Sequence, residues 1–263
     1  MPKLSIITIN LNNSTGLRKT IESVASQTFT DYEYIIIDGG STDGSVEIIK
    51  EFADKITYWV SEPDKGIYNA MNKGIMIAEG IYLLFLNSGD TLISDPNILN
   101  TCQGKLTDDI VAFDCILERD HKILGKRTQI ERPTLFYVYK YGLKHQSTLI
   151  KRSLFDKIGM YNENYKVASD YEFWIRCFLQ PEVTSRSYPI PLAIYELGGV
   201  SEQIGWEEEF KKIEKEWLSN FIADFQLLDS LLPYQNMRIL RIVEQIKRIL
   251  RKIYNNCFRD FNN

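Results

Sequence analysis

The sequence lacks the marks of several large protein classes. Its four cysteines, Cys102, Cys115, Cys177 and Cys257, show no Cys-x-x-Cys spacing. That argues against a disulfide framework or a zinc site and for a reducing compartment. No apolar run approaches the ~20 residues that a membrane-spanning helix needs. Met1-Pro2-Lys3 leads straight into apolar sequence without the pattern of a secretory leader. Neither charge sign dominates: 263 residues carry a formal −4, so no global field draws in nucleic acid. Neither GxGxxG nor GxxxxGK[ST] occurs, which argues against hydride transfer on a dinucleotide fold and against a P-loop. No internal repeat or low-complexity segment is present.

What is present is an alternation. Apolar, β-branched runs at residues 4–9, 34–37, 56–60 and 81–86 read as strands. Between them, residues 15–26, 45–53 and 67–78 place apolar side chains at three- and four-residue spacing and read as helices. Short connections and strict strand–helix order predict a parallel, doubly wound sheet. Ile81-Tyr82-Leu83-Leu84-Phe85-Leu86 reads as the central strand, buried on both faces, and it ends abruptly in Asn87-Ser88-Gly89-Asp90.

In such a sheet the loops after successive strands meet at one edge, where ligands bind. Three loops bring acids there: Asp38, Asp64 and Asp90. Carboxylates at that edge can accept hydrogen bonds from a base or ribose, and one can hold Mg²⁺ or Mn²⁺ through oxygen. Asp90 reads either as such a metal ligand, holding a nucleotide diphosphate, or as part of a polar turn. Gly39, Gly40 and Gly44 allow close backbone approach to a ligand.

Four segments in order resemble the family 2 glycosyltransferases, which have the GT-A fold. They are Leu4-Ser5-Ile6-Ile7-Thr8 with Ser26-Gln27-Thr28, the loop from Asp38 through Gly39-Gly40-Ser41-Thr42-Asp43 to Gly44, Asp64-Lys65-Gly66 with the helix to Gly74, and Asn87-Ser88-Gly89-Asp90 in the place of a DxD motif. The resemblance covers roughly residues 3–200. It implies a Rossmann-like, mostly parallel central sheet flanked by helices. It implies donor contacts from Thr8, Asn10, Asp38, Asp64, Lys65, Gly66, Asn69, Asn72, Asn87, Ser88 and His145, and a metal, Mn²⁺ or Mg²⁺, on Asp90. Asn87 and Gly89 stand where the motif has acids, which leaves one carboxylate for the metal.

The second half is expected to supply acceptor and base. Residues 97–102 read as a helix, and residues 110–117 and 123–128 as strands around a polar turn. Phe136, Tyr137, Tyr139 and Tyr141 lie within 134–141 and either stack on an acceptor sugar or pack into the core. His145-Gln146-Ser147 resembles a family segment near the donor sugar, before a strand at 148–151. Ser169-Asp170 opens a helix, 171–178, and resembles the family's Glu-Asp motif, with Ser169 replacing the first acid. Asp170 would then be the general base of an inverting transfer, taking the acceptor proton as the hydroxyl attacks; otherwise it is a helix cap. Gly198-Gly199-Val200-Ser201, after a strand at 192–197, reads as a loop that closes over the diphosphate.

From Trp206 the chain changes character. Residues 206–232 read as one helix with an acidic start, Glu207-Glu208-Glu209, broken by Pro233. Residues 236–254 read as a basic amphipathic helix: either a surface anchor on anionic lipid or a face that packs on a neighbour or a second copy. The expected division is 1–203, with a nucleotide-binding half at 1–95 and an acceptor half at 96–203, followed by a helical extension at 204–263.

The expected partners are a nucleotide-sugar donor, a UDP-sugar first, and a glycan or lipid-linked acceptor in polysaccharide assembly, with no nucleic acid. The expected place is cytoplasmic or at the inner membrane face. The competing readings are a non-catalytic nucleotide-sugar binder with thinned motifs, a subunit of a membrane assembly, and a nucleotidyltransferase. The last would need a Gly-rich basic loop after the first strand, which residues 10–16 lack.

Overall fold

The structure, a computed structural model, describes residues 1–199 and 205–232. The chain divides into two units between Ile213 and Glu214. The first begins with β1 (Leu4–Asn10), α1 (Ser14–Ala25), β2 (Tyr32–Asp38), α2 (Ser45–Glu51), β3 (Tyr58–Ser61), α3 (Ile67–Ile77) and β4 (Tyr82–Phe85). These four strands lie in the order β3-β2-β1-β4, all parallel. Every residue of β1 is buried because β1 is paired on both edges and covered on both faces. The crossover order places a switch point between β1 and β4, so their C-terminal ends open on a crevice.

Register then decides which polar groups meet there. Asn10 pairs with Asp38 and Asp38 with Ser61, so three polar strand ends lie side by side. α3 packs close on the sheet: a Cβ on Gly74 would lie 2.5 Å from Ile7 Cγ2, a distance that a side chain cannot accept. Ile6, Leu17, Ile21, Ile36 and Leu84 are fully buried in one apolar cluster. Truncating one such residue to Ala costs about 2–5 kcal/mol.

The second half extends the same sheet with mixed pairing. After β5 (Thr91–Leu92) and α4 (Ile98–Gln103) come β6 (Ile110–Arg119), β7 (Lys122–Arg127), α5 (Leu135–Tyr141), β8 (Thr148–Lys151), α6 (Ser153–Ile158), α7 (Ser169–Phe178) and β9 (Ser185–Glu196). β8 runs antiparallel to β4 and to β6, and β9 lies parallel to β6. β9 begins seven residues before the expected strand. Pro189 and Pro191 lie in this earlier stretch, where the register between β6 and β9 shifts, so the sheet absorbs their missing donors at an irregularity. β5 pairs antiparallel with the end of β9 and fixes the segment that follows Asp90.

The expected single helix over residues 206–232 is two: α8 (Glu207–Trp217) and α9 (Ile222–Leu231). The interruption contains Ser219-Asn220, whose side chains compete for backbone groups and favour a turn. α8 starts in the first unit; α9 belongs to the second. The expected helix at 236–254 lies outside the described residues, as do Val200 and Ser201 of the glycine loop. Among the described residues, no helix is long and apolar enough to cross a membrane. Cys102, Cys115 and Cys177 are free and buried.

Candidate active site

The loop after β2 is organised by Asp38, which is fully buried. Its Oδ1 accepts from Asn10 Nδ2 at 2.7 Å and Ser41 Oγ at 2.6 Å. Its Oδ2 accepts from Ser61 Oγ at 2.6 Å, Ser41 N at 2.9 Å and Gly40 N at 3.2 Å. Burial pushes this carboxyl up, but the Ser41, Ser61 and Asn10 hydrogen bonds outweigh it and hold it below its ordinary value. Asp38 therefore anchors this loop, with protein donors on both of its oxygens.

Two further residues of the expected donor set are also engaged within the protein. Thr8 is fully buried with its hydroxyl on Tyr34 Oη at 3.0 Å. Asn72 uses Nδ2 on Tyr161 O and Glu163 Oε1, both at 2.9 Å, and Oδ1 on Tyr161 N at 3.1 Å. Asn10 is buried, and its own Oδ1 has no partner among the described residues.

Asp64 faces the same edge. Its Oδ1 accepts from Gly66 N at 2.8 Å. Gly39 makes room for its other oxygen, which would lie 2.6 Å from a Cβ there. Gly66, at φ +118°, turns the chain into α3. Lys65 is exposed, with its N–H on Asn69 Oδ1 at 3.2 Å. Asn69 Nδ2 donates to Glu163 Oε2 at 2.9 Å, so Asn69 and Asn72 together grip one carboxylate.

The loop after β4 closes on α1 and β9. Ser88 O accepts from Asn13 Nδ2 at 2.9 Å, and Thr20 Oγ1 donates to Asp90 O at 2.7 Å. The Asp90 side chain is 4% exposed, and its Oδ1 accepts from Glu196 N at 3.2 Å. Burial pushes this carboxyl up to about 7, against the opposing pull of His145, Glu196 N–H, Gln146 and Lys144. A carboxyl poised near neutrality with few donors can exchange its proton for a cation. Among the described residues, no group of three or more metal-ligating side chains exists. The site therefore fits only a cation that brings most of its own ligands, as nucleotide-bound Mg²⁺ does.

His145 connects this loop to Asp170. Its Nε2 lies 3.3 Å from Asn87 Nδ2 and its Nδ1 lies 3.2 Å from Asp170 Oδ2. A proton on Nδ1 facing Asp170 leaves Nε2 to accept from Asn87, whose Oδ1 is buried without a partner among the described residues. Tyr68 Oη donates to Asp170 Oδ1 at 3.0 Å. The Asp170 side chain keeps 22% of its surface exposed. Burial pushes it up, but the hydrogen bonds from His145 and Tyr68 hold it below its ordinary value. Asp170 is thus an anion at neutral pH, accessible and oriented by two donors.

The structure gathers Asn87, Asp90, His145 and Asp170 at one place, with Asp64 and Gly66 along the same edge. It shows that Ser169, in place of the first acid, accepts from Asn162 N at 2.7 Å and shapes the preceding loop. It also adds Tyr68, Gln146, Glu163 and Glu196. Tyr68 and Gln146 lie inside the quoted motifs, so the signal was present without a role attached. Glu163 and Glu196 act across the fold and carry no local signature. Tyr141 on α5 is 42% exposed with the Arg127 guanidinium 5.3 Å over its ring, so this aromatic helix is not wholly core.

Comparison with known proteins completes the picture. The sequence profile of glycosyl transferase family 2 matches residues 5–164. A PGL/p-HBAD biosynthesis glycosyltransferase of Mycobacterium bovis is 33% identical over 219 residues, 81% of this chain and 84% of that protein. An uncharacterised glycosyltransferase of Mycobacterium tuberculosis is 34% identical over 184 residues, 68% of this chain and 70% of that one. Among solved structures, Staphylococcus aureus TarS 1–349 in complex with UDP-GlcNAc superposes with a TM-score of 0.65 at 18% identity, over 80% of this chain and 64% of that one. At that identity the likeness shows the fold, which is GT-A.

Proposed function

The chain belongs to glycosyl transferase family 2, and on that premise we propose that it moves a sugar from a nucleotide-sugar donor onto a glycan or lipid-linked acceptor with inversion. The observation that carries this reading is Asp170, an accessible carboxylate held as an anion between Tyr68 and His145, beside the loop that bears Asp90. A single displacement at the anomeric carbon needs one base to take the acceptor proton. It does not need the paired carboxylates of a glycosidase.

The donor side follows from the crevice at the ends of β1 and β4. We assign the nucleotide to the edge formed by Asp64, Lys65 and Gly66, and its diphosphate to the loop of Asn87, Ser88 and Asp90. A divalent cation on Asp90, when bound, would neutralise charge developing on the leaving diphosphate. His145 orients Asp170 and touches Asn87, so it links base and diphosphate loop. UDP is the first nucleotide to test, since the TarS structure holds UDP-GlcNAc. A role in a biosynthetic glycosylation is supported by the Mycobacterium bovis relative, which is named a PGL/p-HBAD biosynthesis glycosyltransferase. We carry the basic segment 236–254 as a membrane-surface anchor; unchanged liposome flotation after removal of 236–263 would reject it.

The second reading is a nucleotide-sugar binder without turnover, favoured by Ser169 in the place of an acid and by the lone Asp90. UDP release from a panel of UDP-sugars, with and without a total glycolipid extract as acceptor, separates the two. Transfer is expected in wild type and is expected to fall by about 10²–10⁴ in Asp170→Asn while UDP affinity persists. Binding without transfer in wild type supports the second reading.

A further inference from the structure

The segment in front of the base helix is held from outside the sheet domain expected from the sequence. Glu209, in the first turn of α8, turns its carboxylate onto three successive backbone amides. Oε1 accepts from Lys166 N at 2.6 Å, and Oε2 from Val167 N and Ala168 N, each at 3.0 Å. Those amides immediately precede Ser169, the first residue of α7, and Asp170 is the second. Ala168 is the cap residue of α7, so one of these amides belongs to the helix start, where partial positive charge favours a carboxylate.

A second contact flanks the base on its other side. The ring of Tyr171 stacks on Phe210 at 4.1 Å with an interplanar angle of 10°, and Phe210 follows Glu209. Tyr171 Oη donates to Tyr139 O at 3.0 Å. Asp170 is therefore bracketed by two contacts that both come from residues 209–210. The neighbouring acids differ: Glu208 is exposed, and Glu207 meets the backbone of Trp206 at 3.2 Å.

We propose that Glu209 is a positioning residue for the base: its carboxylate fixes the 166–168 backbone so that α7 presents Asp170 to Tyr68, His145 and the acceptor. The assignment rests on the reading of Asp170 as base. It also makes the start of α8 part of the catalytic unit, whereas the sequence assigns residue 204 onward to an extension. The Glu209 carboxylate is spent on backbone amides ahead of α7, so its expected effect is on the chemical step.

The test uses the full-length protein with the UDP-sugar that wild type turns over. Glu209→Gln and Glu209→Ala are compared with Glu208→Gln, which is expected to behave as wild type. In the Glu209 variants kcat falls on the order of 10- to 100-fold, while UDP affinity and donor KM stay near wild type; the thermal midpoint drops by a few degrees, more in Glu209→Ala than in Glu209→Gln, because the 166–168 amides lose their acceptor. Amide hydrogen exchange at residues 166–168 speeds up in both. A kcat equal to that of Glu208→Gln overturns the proposal. So does a joint loss of kcat, UDP affinity and thermal midpoint, which marks general damage. The two failures are distinct: if wild type itself turns over no UDP-sugar, the reading of Asp170 as base falls, whatever exchange at 166–168 shows.

Discussion

The loops after β2 and after β4 look alike in sequence and differ in physics. Each ends a buried strand, and each delivers an aspartate to the same sheet edge. Asp38 collects five donors and is held below its ordinary value. Asp90 accepts from the Glu196 backbone and a Gln146 side-chain donor, and burial pushes it up to about 7. The lesson is that an acid at a strand end is a position, while its donors decide its work. A carboxylate with every lone pair used holds a loop. One short of donors keeps capacity for a proton or a cation.

The sharpest break would come from removing the satisfied acid. Asp38→Ala leaves Asn10, Ser41 and Ser61 without their common partner, and a loss of about 3–5 kcal/mol is expected in urea unfolding. A loss below ~1 kcal/mol would end its role as anchor. The two acids also predict opposite pH slopes. Asp38 has a folded value below its unfolded one, so its stabilisation is present above the unfolded value and lost as pH falls through the folded one.

Asp90 works the other way. Unfolded, it titrates near 3.8; folded, near 7. The folded state binds the extra proton between these values, so stability falls as pH rises from about 4 to about 7 and is flat above. Asp90→Asn removes that slope. The advantage of the variant over wild type is expected to be larger at pH 8 than at pH 5 by roughly 1–3 kcal/mol, measured without metal. Equal stability at both pH values would contradict the buried, donor-poor description. The smallest effect sharpens the same contrast: Thr8→Val strands the Tyr34 hydroxyl, costs about 1–2 kcal/mol and leaves UDP affinity unchanged.

Much of the first half was legible because local signals agree there. Apolar runs, helical spacing and turn glycines all point to alternating β and α units in a parallel sheet; the β3-β2-β1-β4 order is seen only in the structure. The second half was less legible. Pro189 and Pro191 hid the start of β9, since a bulge depends on its neighbour strand. β5 and α6 are too short for periodicity to register. At the site, Asp90, His145 and Asp170 were named from motifs, but the His145–Asp170 pair spans 25 residues and Glu209 reaches back 41–43 to the 166–168 amides. Thr8 and Asn72 came from the same motifs, and motif membership does not reveal that their side chains bond to Tyr34, Tyr161 and Glu163.

The central claim is that this edge binds a nucleotide diphosphate through Asp90 and a cation. Calorimetric titration with UDP, GDP, dTDP and CDP, each with and without Mn²⁺, tests it on wild type and on Asp90→Asn. The account predicts that Mn²⁺ tightens binding of one nucleotide, UDP, and that Asp90→Asn loses that tightening. Binding indifferent to metal, or no nucleotide binding at all, would contradict it.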